Sequence, residues 1–214
     1  MTERTIVHLV RHGEVHNPTR ILYGLLPDYH LSKRGEEMAE AAAEWFDGRD
    51  VTHLVASPLE RAQETAAPIS ASTGLEIVTD VRVIEAGNQF EGSLFGKDAA
   101  SLRRLATWWK LRNPARPSWG ESYRDISSRM LLAVADAREA ASGHEAVIVS
   151  HQLPVWITRR TFERRRFLHD PRTRQCNLAS VTSLTFDDDE FVAVEYAEPA
   201  AHLIEPTGKS VGGA

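Results

Sequence analysis

Apolar positions along the chain fall into short unbroken bursts, separated by longer stretches with helical period. Thr5 to Val10, Val51 to Ala56 and Ala146 to Val149 are runs of four to six residues rich in β-branched side chains. Runs of this length, bounded by turn residues, predict strands buried on both faces. Ser32 predicts an N-cap for a Glu/Ala-rich helix from Lys33 to Phe46, stopped near Gly48. Ser57-Pro58 predicts the opening of a second helix, with proline in its first turn and an end near Gly74, followed by a short strand over Leu75–Val78. Glu121 to Ala141 has the pattern of a long amphipathic helix. Residues 178–186 and 190–196 read as two more strands joined by Asp187-Asp188-Asp189. Strands alternating with helices predict a three-layer α/β sandwich. Its central sheet is mostly parallel, helices cover both faces, and the closing pair adds an antiparallel edge.

Two stretches break this rhythm. Residues 17–31 carry Asn-Pro, Gly and Pro-Asp, the chemistry of a loop. Residues 86–120 hold Gly87, Gly92, Gly96 and Gly120 with Trp108, Trp109, Trp119, Pro114 and Pro117 around one short helix near 98–110. This reads as a lid-like insertion in one α/β domain over residues 1–196. Residues 197–214 have no apolar period and read as a loose tail.

Composition narrows the functional classes. The chain has 214 residues, 42% hydrophobic and 26% charged, with a formal net charge of −5. That balance is ordinary for a globule with a real core and argues against nucleic acid as a partner, since binding phosphate backbones leaves a basic footprint. A single cysteine, Cys176, excludes an intramolecular disulfide. The apolar run after Met1-Thr2-Glu3-Arg4 is too short for a signal peptide or membrane span, so no membrane partner and a cytoplasmic location are expected. A homodimer is compatible with the sequence, which leaves the assembly open.

The candidate chemistry collects where predicted strands end. Val10 is followed by Arg11-His12-Gly13-Glu14, Ala56 by Ser57-Pro58-Leu59-Glu60-Arg61, Val149 by Ser150-His151, and the Val81–Ile84 run by Glu85. In open α/β sheets, ligands bind at the carboxyl ends of strands. Two guanidinium groups, two imidazoles and a carboxyl group there suit phosphoryl transfer. The arginines and an N–H-donating or protonated histidine hold the phosphoryl oxygens, one imidazole attacks phosphorus, and the acid protonates the leaving oxygen. Arginines can neutralise the charge, so neither a metal nor any other cofactor is expected. The spacing of His8, His12 and His16 would gather three ligands on a helix, but this segment reads as strand.

These residues resemble the signatures of the histidine phosphatase superfamily, which includes the cofactor-dependent phosphoglycerate mutases. Arg11-His12-Gly13-Glu14 is similar to its RHGE, Leu31-Ser32 through Gly35 to its helix entry, and Ser57-Pro58-Leu59 with Arg61, Ala62 and Thr65 to its SPL segment. Gly120-Glu121-Ser122 with Asp125 and Arg129, Ser150-His151, and Asn177 to Leu184 follow in the family's order. The resemblance implies His12 as the phosphorylated nucleophile and Glu85 as general acid and base. It implies Arg11, Arg61 and His151 as the phosphate pocket, with Asn17 adding a hydrogen bond.

Three positions depart from the pattern. Asn17 lies six residues after Arg11 where seven is usual. Gln152 stands where glycine follows the second histidine. The acid segment Glu85–Gly92 is one residue short, which makes Glu91 a rival to Glu85. The expected activity is metal-independent hydrolysis of a small phosphomonoester. The alternatives are a phosphoglycerate mutase-type transfer and a binding module without turnover. No basic residue follows Glu85 until Lys97, which favours hydrolysis over the mutase. Arg159, Arg160, Arg164, Arg165, Arg166, Arg172 and Arg174 form a cationic run with two readings, a solvated surface or a guide for an anionic substrate.

Overall fold

The computed structural model describes residues 3–87 and 120–204. Most of the expected insertion, with Glu91 and Trp108, Trp109 and Trp119, lies outside the described residues, as do tail residues 205–214.

Six strands form one sheet: β1 (Arg4–Arg11), β2 (Val51–Ala56), β3 (Val78–Thr79), β4 (Glu145–Ser150), β5 (Val181–Asp187) and β6 (Glu190–Ala197), in the order β3-β2-β4-β1-β5-β6. The first four neighbours pair in parallel. β5 runs antiparallel to β1 and β6 antiparallel to β5, which makes the expected closing hairpin. Alternation along β1 and β4 splits the core. Val7, Leu9, Ala146 and Ile148 face one layer, packed with Ile126, Met130 and Ile157. Val10, Val147 and Val149 face the other, with Phe46, Ala62 and Ile69. Helices α3 (Tyr123–Ala140) and α4 (Gln152–Phe162) supply the first layer. Helices α1 (Lys33–Trp45) and α2 (Glu60–Thr73) supply the second. The three-layer α/β architecture is the one the alternation predicts.

Helix boundaries follow local chemistry closely. Ser32 caps α1 by accepting from the Gly35 N–H at 3.0 Å. Gly74 ends α2 in the left-handed region, φ +74°. Pro58 corrects an expectation: α2 starts at Glu60 with Leu59 at its cap, so the proline lies before the helix and not in its first turn. The strand expected over Leu75–Val78 shrinks to Val78–Thr79, because Leu75 and Ile77 pack sideways against the α1/α2 layer. Helix α4 leads into the cationic run, with Arg159 and Arg160 in its last turn and Pro154 in its first, where a missing N–H costs little. Past β6, Ala200 is buried and Leu203 and Ile204 pack against Met38 and Ala42 of α1.

Candidate active site

The four parallel strands all deliver their carboxyl ends to one edge, and the chain beyond each is tied to its neighbours there. The N–H of His12 donates to Ser150 O at 3.0 Å, that of Ser57 to Val149 O at 3.0 Å, and that of Asp80 to Ala56 O at 3.0 Å. One backbone lattice therefore positions Arg11, His12, Ser57, His151 and the segment before Glu85.

Beneath His12 two glycines let backbones cross. A Cβ at Gly13 would lie 2.5 Å from Gly35 O, and one at Gly35 would lie 2.0 Å from Glu14 O. No side chain fits in either place. The Gly13 N–H donates to Thr65 Oγ1 at 3.1 Å, and Thr65 donates to the Arg61 carbonyl at 2.7 Å. Glu14 accepts from Ser32 Oγ at 2.7 Å and pairs with Arg34. The role of these motif residues is thus mechanical: they lock the entry of α1 and the first turn of α2 under the strand end.

His12 is fully buried. Its Nδ1 lies 2.7 Å from Gly13 O, an acceptor only, so Nδ1 carries the proton and Nε2 is bare. Nε2 has no hydrogen-bond partner among the described residues. Burial, then the charges of Arg61 and Arg11, hold this imidazole's pKa well below the ordinary histidine range. His151 stands 5.1 Å away, ring centre to ring centre. Its Nε2 is 2.7 Å from Ser57 Oγ, which also accepts the Leu59 N–H at 3.4 Å. A serine hydroxyl either donates to this nitrogen or accepts from it, so the His151 tautomer sets the direction of the bond, and Nδ1 of His151 has no partner among the described residues. Burial, His12 and the two arginines likewise push His151 well below the usual range.

Both guanidinium groups are buried. Arg11 donates from NH1 to Cys176 O at 2.8 Å. Arg61 donates from NH2 to Gly24 O at 2.6 Å, and its guanidinium lies 4.8 Å from the centre of the Tyr23 ring. Glu64, an alternative helix-surface partner for Arg61, binds His30 and the Leu31 N–H instead. Cys176 is a core thiol with its pKa pushed up to about 11 by burial.

Glu85 is 2% exposed. Oε1 accepts the Ala86 N–H at 2.8 Å, and Oε2 has no partner among the described residues. Burial raises its pKa, against the opposing pull of the Ala86 N–H, Arg61, Arg11 and Arg174. Its segment is fixed from two sides. Ser150 Oγ donates to Val83 O at 2.6 Å, and Arg129 binds Arg82 O while pairing with Glu121 at 2.7 Å. That explains why Glu121 and Arg129 accompany the signature without touching the cluster.

Asn17 is the predicted residue that stands apart. Its Nδ2 donates to Ile21 O at 2.7 Å and its Oδ1 accepts the Ile21 N–H at 3.0 Å. The amide closes a turn of the 17–31 loop, and one remaining N–H is all it has for a ligand. Tyr23, which stacks on Tyr29 at 5.1 Å and meets His12 edge-on at 6.5 Å, was not singled out by the sequence. No periodic signal marks a loop aromatic.

Two neutral imidazoles, two guanidiniums and a carboxyl group at the carboxyl edge of a parallel sheet define an anion-handling α/β protein. The chain belongs to the histidine phosphatase superfamily (branch 1), whose model matches residues 7–199. The protein "Rv0525" of Mycobacterium tuberculosis, described as uncharacterized, is 55% identical over 94% of this chain and 100% of its own length. A probable phosphoglycerate mutase GpmB of Yersinia enterocolitica is 30% identical over 94% of this chain and 95% of its own. The structure of the mycobacterial glucosyl-3-phosphoglycerate phosphatase Rv2419c superposes with a TM-score of 0.72 at 25% identity, covering 92% of this chain and 97% of that one. No helix among the described residues is long and apolar enough to cross a membrane.

Proposed function

We propose that the protein hydrolyses small phosphomonoesters through a phosphohistidine on His12, without a metal. The observation that carries this reading is the bare, buried Nε2 of His12 facing a cationic cluster. Nε2 attacks phosphorus in line. The N–P bond forms as the ester P–O bond breaks, and protonated Glu85 gives its proton to the leaving oxygen. Arg11, Arg61 and the His151 N–H bind the non-bridging oxygens, and the buried setting strengthens each contact as charge develops. The Gly13 carbonyl, already bonded to Nδ1–H, supports the imidazolium formed on phosphorylation. In the second half, Glu85 carboxylate takes a proton from water, water oxygen bonds to phosphorus, and the N–P bond breaks. Inorganic phosphate and the starting imidazole result.

The mutase reading draws on the relative from Yersinia. It uses the same first half and passes the phosphoryl group to a substrate hydroxyl. One experiment separates them: phosphate release from 4-nitrophenyl phosphate and from 3-phosphoglycerate with chelator present, in wild type and His12→Ala. Chelator-resistant release that the substitution abolishes supports hydrolysis. Conversion of 3-phosphoglycerate to its isomer without phosphate release overturns it in favour of the mutase. A single buried thiol and a small-molecule substrate fit the cytoplasmic location expected from the sequence.

A further inference from the structure

Gln152, the departure from the family's glycine, begins α4 directly after His151, and its side chain is not idle. Its Oε1 accepts from Arg174 NH1 at 3.0 Å. On the other side, Arg174 Nε donates to His169 Nε2 at 2.9 Å. His169 is itself fixed: Nδ1 bonds the Phe167 carbonyl at 2.5 Å, and the ring sits 5.7 Å from Trp156 and 6.0 Å from Tyr123. Accepting from Arg174 requires a bare Nε2, so His169 is the neutral Nδ1–H tautomer.

Arg174 differs from the carboxylate-paired members of the cationic run. Arg159 and Arg165 pair with Glu163 at 3.0 and 3.1 Å, Arg172 pairs with Asp170 at 2.7 Å, and Arg160 binds the Arg166 carbonyl. Arg174 is held by two neutral acceptors. No carboxylate pairs with it, and its NH2 makes no hydrogen bond, among the described residues. A half-buried cation held in this way keeps its charge for something else, because buried charges are normally paired. Its place is beside the reaction: Gln152 adjoins His151, Cys176 two residues on binds Arg11, and the charges of Glu85 and Arg11 act on it.

We propose that Arg174, clamped by Gln152 and His169, binds a second anionic group, carboxylate or phosphate, on the ester whose phosphoryl group sits at His12. The site then selects phosphomonoesters with an anion a few atoms from the ester oxygen. Arg174 is the specificity residue; Gln152 and His169 are positioning residues. This inference rests on the phosphomonoesterase reading above.

The test compares kcat/KM for glycerol 3-phosphate, 3-phosphoglycerate and glycerol 1,3-bisphosphate. The wild type prefers the second or third, and which one distinguishes carboxylate from phosphate. Arg174→Gln cuts that preference by about thirtyfold, the size of a charge-assisted hydrogen bond. Gln152→Glu keeps the clamp but neutralises the cation and cuts the preference similarly. His169→Ala raises KM for the doubly anionic ester more than it lowers kcat. Equal losses on all three esters, or a wild type that discriminates less than about threefold, overturn the proposal. Calorimetric titration of His12→Ala with 3-phosphoglycerate and glycerol 3-phosphate reads the same preference without turnover. It tests the clamp even if hydrolysis itself fails.

Discussion

Two buried histidines stand four residues apart, one inside β1 and one just past its end, and they have opposite designs. His8, in mid-strand, is saturated: Ser183 Oγ is 2.8 Å from Nδ1, Glu145 Oε2 is 2.9 Å from Nε2, and the ring meets Trp45 and Phe46 edge-on. Glu145 accepts Nε2–H, so the hydroxyl of Ser183 donates to Nδ1. His12, at the strand end, has one nitrogen satisfied and the other bare, with cations where His8 has a carboxylate. Burial is common to both, so burial does not mark function. The arrangement of partners does: His8 is finished by folding, whereas His12 is left incomplete until a ligand arrives.

The contrast breaks most sharply on replacement. His12→Ala is expected to lower kcat on a phosphomonoester by at least about ten-thousandfold, since the nucleophile itself is gone. Its thermal midpoint should hold or rise, because the removed imidazole is desolvated beside two guanidiniums. A midpoint that falls as activity falls would make His12 a structural residue like His8.

Glu85→Gln comes next. The loss in kcat/KM, which reports the first half-reaction alone, should be about a thousandfold on alkyl phosphates and far smaller on 4-nitrophenyl phosphate, whose leaving oxygen needs no proton. In the wild type, kcat/KM requires neutral His12 and protonated Glu85. The acid limb therefore lies below the ordinary histidine range and the alkaline limb above the ordinary carboxyl range. Glu85→Gln should erase the alkaline limb. Equal losses on both esters would remove Glu85 as the acid and return attention to Glu91.

His8→Ala is the converse. Deleting a buried donor and acceptor should cost about 2 kcal/mol, or roughly 5 °C in thermal midpoint for a domain of this size, with turnover within about threefold of wild type. Calorimetry beside an activity assay reads both halves of that statement.

How much of this was legible beforehand depends on how local each signal is. The caps of α1 and α2 at Ser32 and Gly74, and the buried strands, need only neighbours in sequence and were readable. Pro58 and Leu75 misled because packing of the α1/α2 layer, not propensity, fixes where α2 and β3 begin. Most of the cluster was readable residue by residue, since His12 and His151 follow strands and Arg61 opens a helix; Glu85 corrects an expectation, because the Val81–Ile84 run before it holds a 3-10 turn over Val81–Val83 and not a strand end. Two things were not. The turn Asn17 makes with Ile21 depends on the path of a loop. Arg174 looked like six other arginines until Gln152 and His169 were seen on either side of it.

The smallest expected effect sharpens the histidine comparison by titration. The folded pKa values of His8, His12 and His151 all lie below the unfolded value near 6.5, with His12 and His151 displaced furthest. Between the folded and unfolded values the unfolded chain binds more protons, so each group's contribution is complete above about pH 6.5 and is lost as pH falls. Each such group tilts stability by about 1.4 kcal/mol per pH unit across its window. Glu85 has the opposite sign: its folded pKa is raised, so above the unfolded carboxyl value the native state holds the extra proton and rising pH costs stability. Above the unfolded carboxyl value it offsets part of the histidine tilt. Denaturant titrations at pH 5, 6 and 7 should therefore show a shallower acid loss in His12→Ala than in wild type, and a steeper one in Glu85→Gln. Identical slopes in all three would mean that His12 and Glu85 hold the same protons folded and unfolded, and the division of labour drawn between the two histidines would fall with that result.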